Sequence, residues 1–176
     1  MDSSVIIAII IVCLAIFIFV PISIASAKDR RKKQQAYKKI VDEICATNHL
    51  NLSSTEIIND QLLGLDTNKK LLVYSDLQEY PKDVTIVHLS EIQSGALIKN
   101  TERIETDGRN RTNPHIRISD IGIALYSHTK ELLVECVFYD DIKNNIAEMV
   151  GLTKNAKDWL HRLNTVTPLK ITENAI

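Results

Sequence analysis

The spacing of apolar residues differs between three parts of this chain. From Val5 to Ala27 the residues are uncharged and mostly apolar. From Gln34 to about Ala46, apolar residues recur every three or four positions between charged ones, which predicts a short amphipathic helix. Beyond Asn51 the apolar residues form short runs separated by turn-forming residues, which is the pattern of β-strands. The chain is therefore predicted to hold an apolar segment, an amphipathic helix and a β-rich domain, in that order.

The β-rich part predicts six strands. They are expected at Glu56–Leu65, Lys70–Ser75, Val84–Leu89, Gly95–Glu105, Ile118–Ser127 and Glu131–Tyr139. Polar residues at Asp66–Lys69 and at His128–Lys130 predict two hairpins, one between the first two strands and one between the last two. The fold class is therefore mainly β, with the strands in antiparallel groups.

A closing helix is predicted after the strands. Within Asn155–Asn164 the apolar residues share one helix face, so Trp159 is expected to be buried against the strands. Three other segments are left outside the strands: an ambiguous one with helical spacing, a mobile loop without apolar residues and a loose tail, at Asp140–Val150, Thr106–His115 and Thr165–Ile176.

The apolar N-terminal segment has the length of a transmembrane helix. About twenty residues at about 1.5 Å each cross a hydrocarbon core about 30 Å thick. A cleaved signal peptide is the rival interpretation, because Ala25–Ala27 resembles a cleavage site. Residues Met1–Ser4 carry an acid and no base, however, whereas a signal peptide begins with positive charge. A retained anchor is the favoured hypothesis.

Basic residues follow the apolar segment rather than precede it. Lys28–Lys39 contains seven Lys or Arg and one acid. Such clusters stay on the cytoplasmic side of a membrane. The sequence therefore predicts a single-pass protein of the cell membrane, with its N-terminus outside and its domain in the cytoplasm.

Charge and boundaries divide the chain further. From Ile40 onward there are fourteen Lys or Arg and twenty Asp or Glu, a net charge of −6, so nucleic acid is not an expected partner. The expected divisions are an anchor with its basic stop, an amphipathic juxtamembrane helix, the β-rich domain and a tail, at residues 1–33, 34–50, 51–166 and 167–176.

Parts of the β-rich domain resemble PH-like domains of the bacterial PH type. The residues that carry the resemblance are the strand VTIVHLSEI at Val84–Ile92, the hairpin that runs into Val137–Asp140, and the helix with Ala156, Trp159 and Leu163. The resemblance covers about Glu56–Asn164 and implies a small β-barrel or sandwich closed by the helix. The family has seven strands before its helix. Either the seventh is short and lies within Asp141–Leu152, or the resemblance does not hold.

The resemblance also raises the question of lipid binding. In the family, phosphoinositide binding depends on basic residues in the first hairpin loop. In this sequence that loop is predicted to hold Lys69 and Lys70 beside Asp66, without an arginine. The family's lipid site is therefore not expected to carry over.

No catalytic, cofactor or metal site is predicted. The five histidines, at positions 49, 88, 115, 128 and 161, lack metal-ligand spacing, and the three cysteines do not form a close pair. The acids of Ser90–Glu91 and Asp140–Asp141 lie at strand ends, where they are expected to cap or to face solvent. An enzyme whose residues converge from distant strands is the least favoured hypothesis.

One basic stretch is the expected place for an anion or an acidic partner. It contains Arg103, Arg109, Arg111 and Arg117. A charge-rich loop of this kind is more often simply solvated.

Two functional hypotheses follow. The first is a non-enzymatic interaction or scaffold module that binds a protein partner at the cytoplasmic face of the membrane. The alternative is a β domain that binds lipid or a small ligand. The cluster at Lys28–Lys39 adds weak contact with anionic lipid, which its role in topology already explains.

The orientation can be tested with a reporter fused after Ile176. We expect the reporter to behave as cytoplasmic, because the basic cluster keeps the chain that follows it inside. Protease protection of the reporter in spheroplasts is the measurement. A periplasmic or lumenal signal would overturn the anchor hypothesis and favour the signal peptide.

Overall fold

The computed structural model describes residues 28–29, 31–81, 83–104 and 115–175. Within these ranges no helix combines the length and the apolar character that a membrane crossing requires. The predicted anchor at Val5–Ala27 lies outside the described residues, as does most of the predicted loop at Thr106–His115. The chain divides into two compact units, Met1–Ile44 and Cys45–Ile176.

Helix α1 spans residues 31–47. It contains the whole segment from Gln34 to Ala46 that was predicted as an amphipathic helix, so this prediction is confirmed.

Two four-stranded sheets make up the second unit. The first sheet has the order β1-β2-β3-β4, with every pair antiparallel. Its strands are Ser54–Ile58, Gln61–Asp66, Leu71–Asp76 and Val84–His88. The second sheet has the order β7-β6-β5-β8. Its strands, from β5 to β8, are Ile92–Ile104, His115–Ser127, Leu132–Asp140 and Lys170–Ala175.

Helical segments connect and close the sheets. A short 3₁₀ helix, Leu89–Glu91, joins β4 to β5. A second 3₁₀ helix, Ile146–Glu148, begins with a capping box at Asn145 and continues into α2, Met149–Val166. The ambiguous segment Asp140–Val150 is thus a turn, a 3₁₀ helix and the start of α2. Helix α2 is longer than the predicted Asn155–Asn164, because this cap starts the helical path earlier.

The prediction of one strand over Glu56–Leu65 is wrong. Two strands, β1 and β2, occupy this segment, and Ile58 pairs with Gln61 across a two-residue turn. The turn residues Asn59 and Asp60 have φ values of 49° and 71°. Asn and Asp adopt this left-handed conformation more easily than other non-glycine residues, and it suits a tight hairpin. Because no glycine marks the turn, the apolar residues on its two sides predict a single strand.

This turn changes the strand count. Seven strands precede α2 in the described part of the chain, four in the first sheet and three in the second. The additional strand comes from the split at Asn59–Asp60. Residues 141–152, where a seventh strand was considered, form no strand.

The expectation of a loose tail is also wrong. Strand β8 runs parallel to β5, from the pair Ser94 and Lys170 to the pair Lys99 and Ala175. The segment KITENA is largely polar and has no strong local strand pattern. Its extended form comes from hydrogen bonding to the edge of β5, which local periodicity does not reveal.

The hydrophobic core brings together residues of both sheets and one face of α2. The largest fully buried side chains of the core include Trp159, Phe138, Leu63, Leu65, Leu72, Ile123, Leu125 and Leu163. The indole N–H of Trp159 donates a hydrogen bond to Glu56 of β1, and Asn155 Nδ2 donates to the same carboxylate at 3.0 Å. The predicted burial of Trp159 is confirmed, since none of its surface is exposed.

Replacing Trp159 with Ala should destabilise the domain strongly. The loss of a buried aromatic side chain typically lowers the free energy of unfolding by about 3–5 kcal/mol. Urea denaturation of the fragment that starts at Gln34 is the measurement. His161→Ala on the same helix is the control, because His161 is exposed and a surface change typically stays within about 0.5 kcal/mol. Equal midpoints for the two variants would contradict the assigned role of Trp159.

Candidate functional site

Four aliphatic side chains near one end of the second sheet are almost fully exposed. They are Ile116, Ile142, Ile146 and Val150, with exposed fractions of 76%, 90%, 74% and 75%. Single exposed aliphatic residues are common on soluble domains and need no explanation. A group with this degree of exposure is a candidate contact surface, and we refer to these four residues as the aliphatic surface.

Local structure brings the four residues together. Ile116 lies near the start of β6, and Ile142 follows the end of β7, which is the neighbouring antiparallel strand. Ile146 and Val150 are four positions apart on the helical path that begins at Asn145, so they lie on one side of it. The capping box at Asn145 starts the helical path that carries this pair.

A cavity of about 450 Å³ lies beside the aliphatic surface. This volume is within the usual range of ligand pockets, about 300–1,000 Å³. Its lining is mostly apolar, with three polar residues: Ile116, Ile118, Tyr139, Ile146 and Met149, with Arg117, Asp141 and Asn144. Two members of the aliphatic surface, Ile116 and Ile146, form part of the wall.

The polar residues of this cavity are engaged with one another or with the backbone. Arg117 forms an ion pair with Asp141. Asn144 donates a hydrogen bond to Asn59 Oδ1 at 3.0 Å and accepts one from the backbone N–H of Asp140 at 2.9 Å. These contacts satisfy the polar residues, and the remaining lining of the cavity is apolar.

Asn59 links the two sheets at this place. Its side-chain amide donates to the backbone carbonyls of Val137 and Phe138, at 3.3 and 3.1 Å. Gln61 accepts a hydrogen bond from the backbone N–H of Val137 at 3.0 Å. The β1–β2 turn thus holds the end of β7, which precedes Ile142 of the aliphatic surface. The apolar pattern of the sequence does not reveal this turn.

The predicted basic stretch is only partly described. Arg109 and Arg111 lie outside the described residues. Arg117 lies opposite Glu102 in the β5–β6 pair and is paired with Asp141, so its charge is compensated. Arg117 therefore does not offer an unpaired charge to an anion.

Of the acids predicted to cap or to face solvent after β7, Asp140 caps a turn and Asp141 does neither. Asp140 Oδ1 accepts a hydrogen bond from the backbone N–H of Ile142 at 2.9 Å, which caps the turn after β7. Asp141 turns instead to Arg117. The two adjacent carboxylates serve separate partners and do not form an acid–base pair.

Two of the five histidines, His88 and His128, lie near Ser90. His88 lines a second cavity of about 330 Å³ together with Lys69, Lys70 and Ser90. A ring nitrogen of His128 lies 3.2 Å from the carbonyl oxygen of Ser90. Within the described ranges, no three His, Cys, Asp or Glu side chains are grouped closely enough to hold a metal ion. We refer to the second cavity as the cationic cavity.

A buried carboxylate shapes the turn beside the cationic cavity. Asp66 is fully buried and accepts hydrogen bonds from the backbone N–H groups of Asn51 and Lys69, at 2.8 and 2.9 Å. These bonds, the one from Asn51 first, hold the pKa of Asp66 below its usual value despite its burial. The ionised carboxylate joins the segment before β1 to the β2–β3 turn.

Cys136 is a thiol of the core. It is fully buried, and this burial raises the pKa of the thiol to about 12, with a smaller effect from the charge of Glu56. A thiol with this pKa stays protonated at neutral pH and is a poor nucleophile. Cys136 is therefore a packing residue.

No family model, curated protein or solved structure matches this chain. Sequence periodicity missed the aliphatic surface, although Ile142, Ile146 and Val150 were visible as apolar residues in an ambiguous segment. The signal that identifies them is their exposure, which only the tertiary structure supplies.

Replacing Asp66 with Asn should destabilise the domain in a pH-dependent manner. Because the pKa of Asp66 is lowered in the folded protein, its contribution to stability is present above the unfolded value of 3.8 and is lost as the pH falls through the lower folded value. At pH 7 we expect a loss of about 2 kcal/mol or more, since each hydrogen bond to a charged group is worth about 1.5–3 kcal/mol.

Urea denaturation of the fragment that starts at Gln34, repeated from pH 7 to pH 3, is the measurement. The difference between the wild type and Asp66→Asn should shrink below about pH 4. The exposed Asp158 on α2 provides a matched control, Asp158→Asn, with an effect near zero. A difference that stays constant with pH would contradict the ionised role of Asp66.

Proposed function

We propose that this chain is a membrane-tethered, non-enzymatic interaction module that binds a protein partner through the aliphatic surface at the cytoplasmic face. The observation that carries this proposal is the exposure of Ile116, Ile142, Ile146 and Val150, each about three-quarters or more exposed. Contiguous apolar surface that stays in contact with water is costly and commonly marks an interface. The uncharged segment Val5–Ala27 supplies the tether in this proposal.

The architecture is proposed to be PH-like. Support comes from the arrangement of four strands, then three strands, then a helix whose Trp159 enters the core. Strand β8 is an addition to that pattern. The first hairpin loop is Asn59–Asp60 and contains no basic residue, so the family's phosphoinositide site is not part of the proposal.

The size of the aliphatic surface favours a weak interface that depends on the tether. Burying four aliphatic side chains contributes about 6–12 kcal/mol at about 1.5–3 kcal/mol each. Association costs about 4–15 kcal/mol in lost translational and rotational freedom. The net free energy of association is therefore small in free solution. Confinement of both partners at one membrane raises their effective concentration and makes such an interface sufficient.

The cavity beside this surface supports an alternative function, the binding of a lipid or a small apolar ligand. Ile118, Tyr139 and Met149 form an apolar wall, and about 450 Å³ accommodates a ligand of modest size. The protein partner is favoured because two of the four most exposed aliphatic side chains, Ile142 and Val150, do not line the cavity. A ligand seated in the cavity would leave Ile142 and Val150 in water.

Site-specific photo-crosslinking in native membranes tests the protein-binding proposal. A photoreactive amino acid in place of Ile142 should give one discrete protein adduct, because Ile142 is the most exposed member of the aliphatic surface. The same amino acid in place of Leu132, which is 52% exposed on another part of the second sheet, is the matched control and should give none.

A second substitution identifies the contact. Ile146→Glu should abolish the adduct from position 142, because a charge is then placed in an apolar interface. Leu132→Glu should leave it intact, and circular dichroism should show that both variants are folded. Adducts with lipid alone would favour the alternative function. Equal protein labelling from positions 142 and 132 would refute the proposal.

A further inference from the structure

The cationic cavity lies at the β2–β3 turn and is formed by residues from four parts of the second unit. Lys69 and Lys70 come from the turn, His88 from the end of β4, Ser90 from the following 3₁₀ helix, and Val166, Thr167 and Pro168 from the end of α2 and beyond. We infer that this cavity binds a phosphate group, carried either by a small soluble molecule or by a lipid headgroup. The inference is independent of the proposed protein interface.

The backbone around the two lysines is held firmly. Asp66 accepts a hydrogen bond from the backbone N–H of Lys69 at 2.9 Å. The carbonyl of Lys70 accepts one from the backbone N–H of Leu89 at 2.9 Å, and Lys70 has a φ of 54°. In the β3–β4 pair, His88 lies directly opposite Leu71. The turn and the end of β4 therefore keep Lys70 and His88 side by side.

Acids cancel only part of the positive charge of this cavity. In the described part of the chain, neither Lys70 nor His88 takes part in an ion pair. The ammonium group of Lys69 donates to the carbonyl oxygen of His49, a neutral acceptor, and so keeps its charge. The buried Asp66 contributes one negative charge, but it directs its oxygens to backbone N–H groups.

The end of helix α2 opposes an anion only weakly. Its C-terminal carbonyl groups are equivalent to about half a negative charge. Two lysines carry two positive charges, which together exceed the one negative charge of Asp66 and the partial charge of the helix end, so the local balance remains slightly positive. Lysine is a common phosphate ligand because it acts as a mobile point charge with several donors.

The hydroxyl groups in the wall and the volume of the cavity limit the class of ligand that it can bind. Ser90 and Thr167 add hydroxyl groups to the wall beside the cations. A phosphate monoester carries about −1.5 to −2 charges at pH 7 and has three strong acceptor oxygens, enough to contact both lysines and a hydroxyl group. A volume of about 330 Å³ accommodates one phosphate with a small attached group and is too small for a polyanionic chain.

The position of the cavity distinguishes it from the site that the family resemblance suggests. The first hairpin loop is Asn59–Asp60, whereas Lys69 and Lys70 belong to the second hairpin. The sequence alone places these lysines in the first loop, because its apolar pattern predicts β1 and β2 as one strand. In the folded chain, His88 and Thr167, which are distant in sequence, lie beside the two lysines and complete the cavity.

The test uses the full chain in phosphatidylcholine nanodiscs. Acylation of individual lysines by an amine-reactive reagent is followed by mass spectrometry, with inorganic phosphate or glycerol 3-phosphate added at constant ionic strength. We expect either probe to slow the acylation of Lys70 several-fold in a saturable manner. Lys154 is the internal control, because it lies about 18 Å before the end of α2 and its rate should not change.

A matched pair of variants connects the effect to the cavity. His88→Gln should weaken the phosphate protection of Lys70 about tenfold, since it removes one hydrogen bond to a charged group. His161→Gln, an exposed histidine of α2 that does not line the cavity, should leave the protection unchanged.

A second arm identifies the source of the phosphate. Nanodiscs that also contain phosphatidylinositol 4-phosphate should protect Lys70 without an added probe if the headgroup is the ligand. Protection by the soluble probes alone would assign the site to a soluble phosphate ester. The inference fails if neither arm protects Lys70, if Lys154 is protected equally, or if His88→Gln has no effect.

Discussion

The closure of the two sheets by α2 is the constraint on which the rest of the second unit depends. Trp159 contributes its large apolar surface to the core, while its indole N–H reaches Glu56 of β1. Asn155, one helical turn earlier, donates to the same carboxylate. A buried indole N–H needs such an acceptor, because an unsatisfied donor costs about 1–3 kcal/mol. The contact therefore sets the position of α2 relative to β1 as well as its packing on the second sheet.

The position of α2 also determines which residues lie at the surface near each of its two ends. At its start, the cap at Asn145 and the following turn of helix expose Ile146 and Val150 beside the end of β7. At its end, Val166 and Thr167 close one side of the cationic cavity. The aliphatic surface and the cationic cavity are thus consequences of one packing arrangement. A partner at the first and a phosphate at the second would each act on a different end of the same helix.

The sequence predicted much of the fold, and its failures have specific physical causes. The hairpin between β6 and β7 and the buried face of α2 followed from periodicity, because those elements have one apolar and one polar side. The split at Asn59–Asp60 was missed because both flanking strands are rich in apolar residues. Strand β8 was missed because a polar edge strand is specified by its neighbour β5 and carries little local signal.

The sequence by itself determined the apolar segment and its basic flank, the amphipathic helix, the mainly β character of the remainder and the closing helix with Trp159. These features depend on composition and on spacing between near neighbours, which a linear chain displays directly. Only the tertiary structure decided that Ile142, Ile146 and Val150 face solvent and that Lys70 meets His88 and Thr167. Exposure and long-range proximity depend on how sheets and helix pack, and residues up to about one hundred positions apart become neighbours only through that packing.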